Sequence, residues 1–135
     1  MRNHKVKIFL ESGLKCQGKR EVQYIKELKK ANKSLPKKAE AHETPFGKYT
    51  PDFEFPDKFI EIKSTTTFLC AIGLCTFKGK GKPSDLQFKK IQWVAKNIKP
   101  VDIIIYLGEK EAIPILDIEK SNVTITIKGG KLLVL

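Results

Sequence analysis

Two short alternating stretches set back to back, residues 49–55 and Phe59–Ser64, constrain the fold of this chain more than any other feature. Side chains along a strand point alternately to opposite faces. In the first stretch Phe53 and Phe55 share one face, and Asp52 and Glu54 share the other. In the second, Ile60 and Ile62 oppose Glu61 and Lys63. One core receives both apolar sets only at one parity of register. A two-residue turn at Pro56-Asp57 gives that parity, setting Phe53 across from Ile60 and Asp52 across from Glu61. Cross-strand neighbours have Cβ atoms about 4.5–5.5 Å apart. Two carboxylates that close repel each other unless a cation lies between them. A hard divalent ion that prefers oxygen ligands, such as Mg²⁺, suits that position. The plainer alternative is a surface hairpin with a solvated polar face.

The remaining chain supplies elements for a layered fold. Residues 4–10 alternate Lys with apolar side chains and read as a short edge strand, ended by Ser12-Gly13. Residues 18–33 read as a helix, with Val22, Ile25, Leu28 and Ala31 on its apolar stripe. Residues 32–47 read as a mobile, turn-rich segment punctuated by Pro36, Pro45 and Gly47. Residues 65–77 are ambiguous between a third strand and an interface segment: three threonines and Phe68 favour a strand, and Gly73 opposes a long helix. Residues 78–83 form a loop. A helix then runs from Ser84 to about Asn97, with a Ser84/Gln87 capping box and with Leu86, Ile91, Val94 and Trp93 buried. The β-branched run 101–107 reads as a central strand buried on both faces. Residues 112–118 form a strand near an edge, because of Pro114. Gly129-Gly130, between Val123–Lys128 and residues 131–135, signals a two-residue hairpin. This order predicts an α/β fold, a mixed central β-sheet flanked by helices, with residues 1–135 as a single domain.

Pro51, Asp52, Glu61 and Lys63, in that order and spacing, resemble the PD-(D/E)XK nuclease signature. The resemblance covers about residues 18–107. It implies a restriction-endonuclease-like core and a metal-dependent endodeoxyribonuclease that hydrolyses phosphodiester bonds with Mg²⁺, Mn²⁺ substituting. Asp52, Glu61 and the main-chain carbonyl of Ile62 would hold the metal. Lys63, on the Glu61 face, would orient the attacking water or stabilise charge on the phosphate. Glu21 matches a helical Glu that often reaches the metal site in this superfamily. Its alternative role is a favourable charge at a helix N-terminus, worth about 0.3–1 kcal/mol. Gln87 matches a Gln that faces the active site in several of these families, with the capping box as its alternative. Within the superfamily the chain is most similar to small Holliday-junction resolvases and phage-type endonucleases. Gly18 with Glu21, Glu61-Ile62-Lys63 before the Thr-rich stretch 64–68, and Tyr49-Thr50-Pro51-Asp52-Phe53 carry that likeness. It implies a role in DNA recombination or repair, branched or double-stranded DNA as substrate, and a two-fold homodimer.

The net charge of +11 points independently to a polyanionic partner. Phosphate contacts are expected from Lys19, Arg20, Lys37, Lys38 and Lys90, and from Lys78, Lys80 and Lys82, which alternate with Gly79 and Gly81. All of them also read as solvated charge. Such contacts give salt-sensitive affinity with little base specificity. An acidic membrane is disfavoured: there is no basic amphipathic helix with a Trp/Leu face, and the longest nearly uncharged stretch, residues 68–77, is too short to span a bilayer. No secretory signal pattern is present, and Cys16, Cys70 and Cys75 lack a framework spacing, so a reducing, cytoplasmic setting is expected. All three cysteines read as small buried apolar residues, with a Cys70–Cys75 disulfide or half a metal site as alternatives. Two other function classes fit the same charge: a sequence-specific homing or restriction-type endonuclease, and a non-catalytic basic nucleic-acid-binding protein.

Overall fold

A computed structural model describes residues 9–11, 13–76, 81–108, 111–114, 122–129 and 131–133. In chain order the elements are β1 (Phe9–Glu11), β2 (Leu14–Cys16), α1 (Lys19–Lys30), β3 (Lys37–Lys38), β4 (His42–Thr44), β5 (Gly47–Tyr49), β6 (Phe53–Glu54) and β7 (Phe59–Ser64). There follow α2 (Thr65–Ala71), α3 (Leu86–Asn97), β8 (Val101–Tyr106), β9 (Ala112–Pro114), β10 (Val123–Lys128) and β11 (Lys131–Leu133). Five strands form a mixed sheet in the order β10-β8-β7-β6-β3. The ladders β10–β8 and β8–β7 are parallel, while β6 and β3 are added antiparallel.

The β-branched run of β8 lies between two parallel partners and is buried on both faces. Val101, Ile103 and Ile105 join Phe59, Phe68, Ile91 and Val94 in the core beneath α2 and α3. Ile104 and Tyr106 join Phe53, Ile60, Tyr24 and Ile25 in a second core beneath α1. The period-2 alternation of β7 and β8 thus feeds two apolar layers, giving a helix–sheet–helix sandwich. Each fully buried Phe or Ile contributes ~1.5–3 kcal/mol, so both faces are strongly fixed.

The hairpin register is as expected. Phe53 pairs with Ile60 and Glu54 with Phe59, and Phe55 N–H bonds the Lys58 carbonyl across the Pro56-Asp57 turn. Tyr49 does not extend this strand; it ends β5, in a separate antiparallel pair with β4. The two apolar sets do share one core: Phe53 and Ile60, with Phe55 and Ile62 at its margin, pack together beneath α1. Glu61 and Lys63 lie on the same strand face as Phe59 and are enclosed, not solvated.

Several other elements differ from expectation, each for an identifiable reason. Residues 32–47 are not merely turns: they supply the sheet-edge strand β3 and the β4–β5 hairpin, whose two- and three-residue strands are too short to show a period. Residues 65–71 are helical because Ser64 and Thr67 form a reciprocal capping box that nucleates α2. Gly73, at φ +83°, then turns the chain against Asp85, where a Cβ would come within 3.2 Å of Asp85 N. Ser84 Oγ does accept from Leu86 N–H, but the N-cap of α3 is Asp85 and Gln87 takes no part in a capping box. Leu86, expected inside, is 44% exposed. Strands β10 and β11 do not pair with each other; long-range parallel pairing to β8 and β9 overrides the local turn signal. Residues 4–8, 78, 80, 115–118, 130, 134 and 135, on which parts of the sequence reading fall, lie outside the described residues.

Candidate active site

Strand β7 is six residues long and its partner β6 only two, so β7 runs on past β6 with no paired strand on that side, a notch in the sheet. Backbone groups alternate along a strand. Phe59 N–H bonds Pro100 O on the β8 side, so the amide and carbonyl of Ile62 face the opposite edge. There no strand continues, and Asp52 fills the vacancy: its Oδ2 accepts from Ile62 N–H at 2.6 Å. The Ile62 carbonyl points to the same edge.

Glu61 and Lys63 rise from the α3 side of this notch. Their side chains are 6% and 8% exposed, with Lys63 Nζ 3.7 Å from Glu61 Oε1. Tyr49 Oη donates to Glu61 Oε2 at 3.1 Å. Lys63 Nζ also donates to Gln87 Oε1 at 3.0 Å, so the helical Gln faces the site. From the α1 side, Glu21 is buried in the first turn and accepts from Lys38 Nζ at 3.3 Å. Lys38 itself lies over the Phe53 ring, 4.7 Å from its centroid.

The sequence candidates Glu21, Asp52, Glu61, Lys63 and Gln87 therefore converge on one edge. Lys38, read as a phosphate contact, is turned inward to Glu21. Lys90 lies against Gly47. Lys19, Arg20, Lys37 and Lys82 are exposed. Sequence reasoning missed Tyr49 as a partner of Glu61. The lone signal for it was an aromatic hydroxyl shortly before Pro51-Asp52.

Three carboxylates here face two ammonium groups, in a largely desolvated place. Burial is the first cause of the upward pKa shift of Asp52, to about 6, with Glu21 adding to it; Ile62 N–H, Lys63 and Lys38 oppose the rise. Burial likewise pushes Glu61 up, to about 8, reinforced by Asp52 and opposed by Lys63 and Tyr49. Tyr49 is raised well above the usual phenol range by burial and by both carboxylates, so it remains a hydrogen-bond donor.

These groups fit a hard divalent cation in charge and donor type. Among the described residues no three His, Cys, Asp or Glu side chains form a closed metal cluster. An ion such as Mg²⁺ usually takes one or two carboxylates and keeps several waters. Asp52, Glu61 and the Ile62 carbonyl would hold it. No family model, curated protein or solved structure matches this chain.

The raised carboxyls make stability depend on pH. Their folded values lie above the unfolded values of about 4, so the folded state binds more protons. That advantage is complete below about pH 4 and is lost as pH rises through about 6 and about 8. Thermal melts in a chelator should give a lower midpoint at pH 8 than at pH 5. The difference should shrink in Glu61→Gln; identical profiles for the two proteins would contradict the assignment.

Proposed function

We propose that the chain is a metal-dependent endodeoxyribonuclease of the PD-(D/E)XK kind, acting on branched DNA as a two-fold dimer. The observation that carries this reading is the convergence of Asp52, Glu61 and Lys63 in one desolvated notch, with Gln87 on the lysine. A divalent ion held by Asp52, Glu61 and the Ile62 carbonyl would supply a water of lowered pKa and positive charge for the phosphate oxygens. Asp52 is held in place by Ile62 N–H and Glu61 by Tyr49, so the two acids keep their orientation without a ligand. Gln87 fixes the Lys63 ammonium beside Glu61, where it can hold the attacking water or stabilise charge building on the phosphate. Restricting water around these groups strengthens every such interaction. The exposed Lys19, Arg20, Lys37 and Lys82 would add phosphate contacts and a steep salt dependence.

The deciding experiment compares a synthetic four-way junction with linear duplexes, in Mg²⁺, Mn²⁺ and EDTA. Cleavage of the junction with either metal and none in EDTA is expected. Cleavage of one linear sequence in preference to the junction would favour a restriction-type enzyme. Tight DNA binding without cleavage in either metal would leave only a basic binding protein. At pH 8, Mg²⁺ at 100 times its Kd should also stabilise the fold by about 2.7 kcal/mol.

A further inference from the structure

The turn of the β4–β5 hairpin and the outer side of α3 frame an open groove of about 730 Å³. Phe46, Trp93, Lys89, Lys96, Gln92 and Asn97 line it, the Asn97 amide N–H being donated to the Trp93 carbonyl at 2.8 Å. Phe46 is 40% exposed. Trp93 rests partly on the core beneath α3 and gives the rest of its surface to the groove. No acidic side chain is among the lining residues. Lys89 leans on Asp85 at 3.5 Å, a half-exposed pair that solvent and salt weaken.

Flat aromatic faces beside ammonium groups and carboxamides suit one ligand chemistry in particular. Rings stack on a nucleobase, lysines meet its phosphate, and amides reach its edge. Phe46 and Trp93 are far apart in sequence, and the pairing exists only because the hairpin lies on α3. The same two elements also serve the acidic notch. Tyr49 of β5 holds Glu61, and Gln87 of α3 holds Lys63. Gln87 and Trp93 are about 9 Å apart along α3 and about 120° apart around it, on the order of 13 Å over the helix surface, so a strand joining notch and groove would cross the helix over about four nucleotides at about 3.4 Å each.

We propose that this groove stacks an unpaired base of the DNA strand whose phosphate enters the notch. The protein would then select places where a strand leaves the duplex: a branch, a flap or a frayed end. The inference rests on the nuclease reading for the identity of the strand and deepens it by naming the substrate feature.

Trp93 is the chain's single tryptophan, so its fluorescence reports the groove directly. Wild-type protein in EDTA, titrated with an oligothymidylate, should lose about half its emission on saturation, with saturation followed independently by anisotropy of a labelled strand. Phe46→Ala should bind that strand about tenfold more weakly, with an unchanged melting midpoint and unchanged affinity for blunt duplex. Lys96→Gln should lower the salt slope by about 1. Full emission at saturation, or Phe46→Ala binding as tightly as wild type, would overturn the proposal. Quenching in a protein that never cleaves DNA would support the groove and remove the nuclease reading. Cleavage with a silent Trp93 would do the reverse.

Discussion

Asp52→Asn is expected to lower Mg²⁺-dependent cleavage about 10²–10³-fold and, at pH 8 without metal, to stabilise the fold by about 2 kcal/mol. The opposed signs follow from one group. Asn keeps an oxygen to accept from Ile62 N–H, so the strand edge stays satisfied. It removes the negative charge that burial and Glu21 penalise. The rise of Asp52 to about 6 is roughly two units above an unfolded Asp, each worth about 1.4 kcal/mol; partial access to solvent reduces the total. Single-turnover cleavage and urea titrations in a chelator measure the two effects on the same protein. An Asp52→Asn protein that is less stable than wild type at pH 8, or that cuts normally, would remove Asp52 from the site. Asp52→Ala is the contrasting control: it deletes the acceptor as well as the charge, and loses the stability gain.

Lys63→Met should cost cleavage by a similar factor, about 10²–10³, and should destabilise the fold at pH 8 by ~1–3 kcal/mol. Met preserves the apolar stem that lies in the wall of the notch. The ammonium is lost from beside Glu61, leaving that carboxylate buried without its cation. Glu61 then holds its proton to still higher pH, so metal binding demands a more alkaline solution. The pH–activity profile of any residual cleavage should therefore move upward, a change that a simple packing defect would not produce. Gln87, being exposed, finds water in place of Lys63 and adds no orphaned group. Loss of activity with unchanged stability and an unmoved profile would place Lys63 outside the acid cluster.

How much of this was legible depended on whether the signal was local and repeated. The pairing of Phe53 with Ile60 follows from alternation alone, because a slip by one residue would expose both apolar sets. The helix of residues 19–30 and the buried strand of residues 101–106 carry enough periodic residues to announce themselves. Helix α2 was hidden by three threonines, whose stiffness favours strands, until the Ser64/Thr67 cap fixed its start. The edge strand at Lys37–Lys38 and the hairpin at residues 42–49 are too short for a period to exist. Glycines at 129 and 130 argued for a hairpin, yet parallel partners far away in the chain win. In the site, Asp52, Glu61 and Lys63 were readable because one hairpin contains them all. The contribution of Tyr49 was not, since it comes from a different strand pair and meets Glu61 only when both pack beneath α3.

The short span of that hairpin sets the order in which the molecule can assemble. Asp52 and Glu61 are joined by one tight turn and can meet within about 1–10 μs. The ladders that enclose them link Phe59 to Val101 and Val101 to Val123, and must wait for much longer loops to close. The two acids therefore first meet in water, where their repulsion is screened, and lose hydration only as the helices dock. Desolvation of the pair belongs to the late side of the folding barrier. Alkali should accordingly hasten unfolding far more than it slows refolding.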